Sequence, residues 1–330
     1  MNDGESEAME RAPRSAPGRS RRDDLASALA ARRAALGPFE CIAVAGSLAR
    51  GEETASSDAD CVLVVRAGTD DAALARAAGF VWEAVQSIGL RVPRADSLFR
   101  DAVTAAQLLD PRAAGALDET PSVYGKRLQL LTDTAAVFAA ERFGELRLEV
   151  LQWFVRWQPS DTPLAFLASE LIRYRRSYCA YQRFCFAHDD TDSWHLRMAK
   201  LGSSRLLTVA GLLFLLGEAG RQENPVSWVA QRLDLSPLAR TLDVMGRYAP
   251  HRAERVSTLY SAVQSALGAA RVRDGLLASG PVSQAHLEDG SVPLGYGLDE
   301  LLVELSRELN EFLLRRQGDW PGWFFRALLL

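Results

Sequence analysis

One stretch of the chain has residue types and spacing that could do chemistry: Val44-Ala-Gly-Ser-Leu-Ala-Arg-Gly-Glu-Glu-Thr-Ala-Ser-Ser-Asp-Ala-Asp60. Its skeleton is Gly46-Ser47, ten residues, then Asp58-x-Asp60. Two residues apart on an extended chain, side chains 58 and 60 point to one face. Two carboxylates held there repel one another. A hard divalent cation relieves the repulsion, and Mg2+ takes oxygen ligands from one or two carboxylates plus phosphate. Mn2+ accepts the same donors. Gly46 and Ser47 fall where a strand turns into a helix, so free backbone N–H groups favour phosphate there. Glycine lets the phosphate approach the backbone closely. A phosphate cradle beside a metal site suits in-line displacement at a nucleotide's α-phosphate.

With residue frequencies of roughly 5–7% each, four fixed positions match by chance in on the order of one chain in a few hundred. That favours chemistry over the plainer reading, a Ser/Asp-rich hairpin loop whose aspartates cap turns. Inside the motif, Arg50 could reach a phosphate with its guanidinium fork; the alternative is a solvated helix arginine. Ser57 either faces the ligand or bonds its own turn. Glu52 and Glu53 read as flanks of the loop rather than metal ligands.

The elements that must position this motif read as follows. Residues 1–21 form a polar, disordered tail. From Arg22 a helical pattern runs to Gly37-Pro38. Phe39–Ala45 and Ala59–Val65 are buried strands, residues 70–88 an amphipathic helix, and 89–99 a third strand interrupted by Pro93. Beyond about residue 120 strand signals vanish, and helical patterns cover 124–139, 142–157, 163–186, 193–217, 225–232, 235–247, 251–275 and 298–316. The Gly/Ser/Pro-rich segment 276–297 reads as a loop. A sheet-containing front and a helical back define an α+β chain of two parts.

The helical part offers a second set of polar residues. Arg173 and Arg176 share a helix face, and Glu170 can pair with Arg173. Arg197, Lys200 and Ser204 share a later face, with Arg205 beside them. Two helices presenting cations could close over a triphosphate; the alternative is a set of interhelical ion pairs. Lysine occurs only at 126 and 200 in this arginine-rich chain, which draws attention to Lys200. The four histidines include no i, i+4 pair, so a histidine metal site is not expected. Trp153 and Trp157 read as packing residues. The helix at 298–316 reads as core, with a homodimer contact as the alternative.

Net charge is −4, without the broad basic excess of a chain that grips nucleic acid over a long footprint. The cysteines, Cys41, Cys61, Cys179 and Cys185, match no zinc spacing. The N-terminus lacks a signal-peptide pattern, and the apolar run 206–216 is short for a bilayer. A cytoplasmic protein is expected, with no membrane partner.

GSLARGEETASSDADCVLV resembles the signature of the DNA polymerase β-like nucleotidyltransferase superfamily. Residues 165–183 (AFLASELIRYRRSYCAYQR) and 194–213 (WHLRMAKLGSSRLLTVAGLL) resemble helical segments of bacterial stand-alone nucleotidyltransferase-domain proteins. The resemblance implies an α+β fold: a catalytic domain over 22–120 with a short mixed sheet, the phosphate turn after its first strand, then an all-helical domain over 121–330. It implies Mg2+ or Mn2+ at Asp58 and Asp60, and the phosphates of an NTP, ATP first among them, at Gly46 and Ser47. A third carboxylate on a following strand would help activate the attacking hydroxyl; Asp96 is the best-placed candidate, with Asp101 competing. The expected reaction moves an NMP group from an NTP to a hydroxyl of a small-molecule acceptor, releasing pyrophosphate. The alternatives are transfer to RNA or a partner protein, as in antitoxin-type adenylyltransferases, and a non-catalytic nucleotide-binding regulator.

Overall fold

A computed structural model describes residues 20–54, 57–94, 97–188, 194–279 and 294–329, the side chains of 183–188 excepted. The chain divides into two compact units. A sheet unit takes residues up to Gln107 together with Thr134–Glu145, and a helical unit takes Leu108–Asp133 and Leu146 onward. The chain therefore leaves the sheet unit at Gln107, returns for 134–145, and leaves again, where a single boundary near residue 120 was expected.

In the sheet unit, helix α1 (Arg21–Ala30) starts where the Ser20 hydroxyl accepts the Asp23 N–H at 3.2 Å, with Asp23 and Asp24 in its first turn. Such a cap satisfies one of the orphan amides of a helix start. Strand β1 (Phe39–Ala45) follows, then a five-residue helix α2 (Gly46–Arg50), strand β2 (Cys61–Val65) and helix α3 (Asp71–Ser87). Asp70 caps α3 by accepting the Ala73 N–H at 3.0 Å. Ala77, Val81, Ala84 and Val85 of α3 are buried with Leu25 and Leu29 of α1 against Ile42, Val44, Cys61 and Leu63. Apolar residues three and four apart on the helices, and two apart on the strands, thus build one core.

The sheet has the order β3-β2-β1-β4, with β3 at Val103–Thr104 and β4 at Thr134–Phe138. β1 pairs antiparallel with β2 and β4, and β3 runs parallel to β2, so the sheet is mixed. Two expectations are corrected here. Among its described residues the segment 89–99 contributes an isolated bridge, Arg91 to Asp58, and no strand, and the strand beside β2 is Val103–Thr104. Pro93 has no N–H for a ladder, which explains why pairing stops so soon after Arg91. Residues 124–139 are not one helix: after the short α4 (Ala105–Leu108), α5 (Pro121–Thr132) ends at Asp133, and 134–138 is a strand.

In the helical unit, α6 (Ala140–Val155) and α7 (Ala165–His188) are followed by α8 (Trp194–Gly202) and α9 (Ser204–Ala219). The expected single helix over 193–217 is broken at Ser203, whose backbone (φ −120°, ψ −97°) leaves the helical region. Residues 251–275 likewise divide at Ala269 into Pro250–Gly268 and Ala270–Ala278, because Ala269 is extended. A terminal helix, Gly322–Leu329, was not anticipated. The expected loop 276–297 lies largely outside the described residues. α9 is almost wholly buried and touches the helix Pro237–Tyr248 so closely that a Cβ on Gly211 would lie 2.5 Å from the Pro237 carbonyl oxygen. The stretch Trp194–Ala219 is long and apolar enough to cross a membrane by length and composition, longer than the run read from the sequence; 78% of its most apolar window is buried inside the protein. Trp153 is buried as expected, whereas Trp157 is 44% exposed.

Candidate functional site

The two halves of the Gly-Ser/Asp-x-Asp motif meet across β1 and β2. The Ala45 N–H donates to the Asp60 carbonyl oxygen at 2.7 Å, continuing the ladder that pairs Val44 with Cys61. Burial alternates from Ser57 to Cys61: Ser57, Ala59 and Cys61 are buried, Asp58 is exposed and Asp60 half-buried. Ala59, Cys61 and Leu63 enter the core. Asp58 and Asp60 therefore share the other face, on which Ala45 leads into the turn. Burial first, and Asp60 second, push the Cys61 thiol well above its ordinary pKa. Burial raises Cys41 to about 12. Both cysteines are fully buried and pack as small core residues.

Gly46 is buried with φ +65°, a left-handed conformation that glycine adopts at no steric cost. α2 begins there without a side-chain cap. Its first amides lack intrahelical partners, as at any helix start, and Gly46 and Ser47 stand at that start. With five residues, α2 adds little macrodipole, and those amides matter more than the helix behind them.

The connecting loop is held by its own polar groups. Gly51 closes α2 at φ +70°, and the Glu52 N–H donates to the Ser47 carbonyl at 2.8 Å. Arg50 Nε donates to Glu52 Oε2 at 2.6 Å. The Ser57 hydroxyl accepts the Thr54 N–H at 2.9 Å, so it does bond its own turn. Asp58 is paired with Arg91, Nε to Oδ1 at 3.1 Å, both side chains well exposed. Nothing in the sequence singled out Arg91, because the pairing is made by the bridge between residues far apart in the chain. Asp96 lies outside the described residues. Asp101 is exposed in the bend before β3.

A divalent metal fits this donor set in a limited sense. Among the described residues no three His, Cys, Asp or Glu side chains cluster as a self-sufficient metal site. Asp58 and Asp60 supply the one or two carboxylates that Mg2+ needs when phosphate oxygens complete its shell. Asp58's exposed ion pair with Arg91 is weak enough for a metal to displace.

The helical unit places its expected residues in different settings. Arg173 donates from Nη2 to Glu170 Oε2 at 2.6 Å, from Nε to the Tyr124 hydroxyl at 3.2 Å and from Nη1 to the Ala116 carbonyl at 3.3 Å. Burial raises the Glu170 carboxyl's pKa, and Arg173 pulls it back. Arg176 and Lys200 are exposed. Arg197 Nη1 donates to Gln182 Oε1 at 3.2 Å. Ser204 is 5% exposed at the start of α9. Arg205 lies 5.5 Å from the Tyr178 ring centre and 3.9 Å from Asp133 Oδ2.

A small mixed sheet with a glycine turn after its first strand, and an acid pair entering its second, fits an α+β nucleotidyltransferase domain, here accompanied by a helical part. Residues 25–100 match the family model described as "Putative nucleotidyltransferase DUF294". No curated protein matches the chain. Residues 25–100, from α1 to the segment before β3, thus belong to a nucleotidyltransferase-family domain.

Proposed function

We propose that the protein transfers the NMP group of an NTP, ATP first among them, to a hydroxyl of a small-molecule acceptor. The observation that carries this reading is the Ala45–Asp60 backbone bond, which sets the shared face of Asp58 and Asp60 beside the Gly46 turn. In the proposed reaction the acceptor oxygen bonds to the α-phosphorus as the bond to the pyrophosphate oxygen breaks, in line. Gly46 and Ser47 hold phosphate oxygens through backbone N–H groups and the serine hydroxyl. Asp58 and Asp60 hold Mg2+ or Mn2+, which when bound offsets charge on the reacting oxygens. Asp96 is proposed to take the proton of the attacking hydroxyl. A net charge of −4 supports a small acceptor over an extended nucleic acid.

The test is incubation with each α-labelled NTP, Mg2+ and cell extract, followed by identification of the labelled product. Wild-type protein is expected to label a small molecule, and Asp58→Ala/Asp60→Ala protein to label nothing. Transfer by the double variant at the wild-type rate would overturn the proposal. Label on RNA or on a protein would move the acceptor to the other class.

A further inference from the structure

Arg50 and Glu52 flank the turn at Gly51, and their ion pair is shielded, with side chains 6% and 16% exposed. Around them the loop is a chain of short polar contacts. The Glu52 N–H reaches back to the Ser47 carbonyl at 2.8 Å. Thr54 is held from two sides: its N–H donates to the Ser57 hydroxyl at 2.9 Å, and its carbonyl accepts from Arg21 Nη1 at 3.3 Å. The Ser57 carbonyl in turn accepts the Arg91 N–H at 3.3 Å, immediately before Asp58. These contacts form two groups among the described residues, one tying Glu52 back to the phosphate turn and one tying Thr54 to Ser57 just before Asp58.

A guanidinium buried against a carboxylate is costly to separate from it, because the partner is left as an uncompensated buried charge. Arg50 is therefore poorly suited to swing out toward a triphosphate, and its geometry serves the loop. We infer that the Arg50–Glu52 pair is a positioning device that fixes residues 52–54 against the Gly46-Ser47 turn. Arg50 acts through Glu52 and not as a phosphate ligand. The structural effect stands by itself; its catalytic consequence rests on the nucleotidyltransferase reading.

The test compares Arg50→Ala, Glu52→Ala, the double variant, and the milder Arg50→Lys and Glu52→Gln in the full chain. Amide hydrogen exchange is measured without nucleotide, and turnover with NTP and Mg2+. Each alanine variant is expected to speed exchange at the Glu52 and Thr54 amides by about tenfold, with β2 amides unchanged. The double variant should be no worse than either single, the mark of two residues acting as one. Turnover should fall about 10–100-fold with the NTP KM within about threefold, and Arg50→Lys should recover part of both effects. If the alanine variants do not fold, Arg50→Lys and Glu52→Gln must show the same exchange pattern at smaller amplitude, or the inference fails. Unchanged loop exchange, with a raised NTP KM in Arg50→Ala alone, would make Arg50 a phosphate ligand and overturn the inference. Loosened loop exchange in a protein whose wild type turns over no NTP would uphold the brace and sink the enzyme reading instead.

Discussion

The Ala45 N–H and the Asp60 carbonyl oxygen, 2.7 Å apart, join the two arms of the motif through the backbone alone. The side chain of Asp60 takes no part in that bond, and the Asp58 carboxylate is paired with the exposed Arg91. The scaffold of the site is thus separable from its chemistry. The glycines of the loop are the places to test that separation.

Gly46 (φ +65°) and Gly51 (φ +70°) have nearly the same left-handed backbone, so alanine at either should cost about 1–2 kcal/mol of stability. A Cβ at Gly51 would meet nothing within 4 Å. Gly46 is buried in the turn whose backbone phosphate is proposed to approach. Gly46→Ala is expected to lose about 100-fold in turnover and Gly51→Ala no more than about threefold, at similar urea midpoints. Equal losses in both would mean that Gly46 matters for loop conformation only.

The motif was legible because it is local: a short apolar strand, a glycine turn and alternating acids are all written within Val44–Asp60. The fold was legible where periodicity and caps agree, as in α3 with Asp70 before it. It was misread where pairing is distant. Thr134–Phe138 continues an apolar pattern that also suits a helix, and only its partner β1, some ninety residues earlier, makes it a strand. Val103–Thr104 is too short to carry a period. The break at Ser203 was hidden because apolar residues continue on both sides of it. Arg91 could not be found at all, since its relation to Asp58 exists only once the sheet has formed.

Arg173 and Lys200 should separate stability from anion binding. All three guanidinium nitrogens of Arg173 have partners within the helical unit, and the group also lies 4.4 Å from the Tyr124 ring centre. Arg173→Ala leaves the buried Glu170 without that partner and is expected to cost about 2 kcal/mol, with the NTP KM little changed. Lys200→Ala, at an exposed position, should alter stability by no more than about 0.5 kcal/mol. If Lys200 meets triphosphate, its NTP KM rises about tenfold. A stable Arg173→Ala protein with a raised KM would assign the anion to Arg173 instead.

Arg127, like Lys126 and Arg240, is a fully shielded cation of the helical unit, 1% exposed. It pairs bidentately with Glu119 at 2.8 and 2.6 Å, donates from Nε to the Leu108 carbonyl at 2.6 Å, and lies 4.3 Å from the Trp153 ring centre. Removing either charge strands the other, so Arg127→Met or Glu119→Gln should each cost about 3–5 kcal/mol by urea titration. The double variant should cost clearly less than the two losses added, because no lone charge is left inside. Additive losses would show that the pair is not the unit of stability.

His195 is expected to give the helical unit a pH dependence near neutrality. It is 6% exposed at the start of α8, edge-on to Trp194 with ring centres 5.0 Å apart. Burial lowers its pKa below the ordinary 6.5, and Asp299 partly opposes the shift. The folded protein then binds this proton less readily than the unfolded chain does. Stability from the neutral ring is complete above the unfolded value and is lost as pH falls from about 6.5 through the folded value. Urea midpoints should therefore drop more between about pH 7.5 and about pH 5.5 in the wild type than in His195→Phe, since carboxylates titrate mainly below that window. Parallel declines in the two proteins would place the titrating group elsewhere.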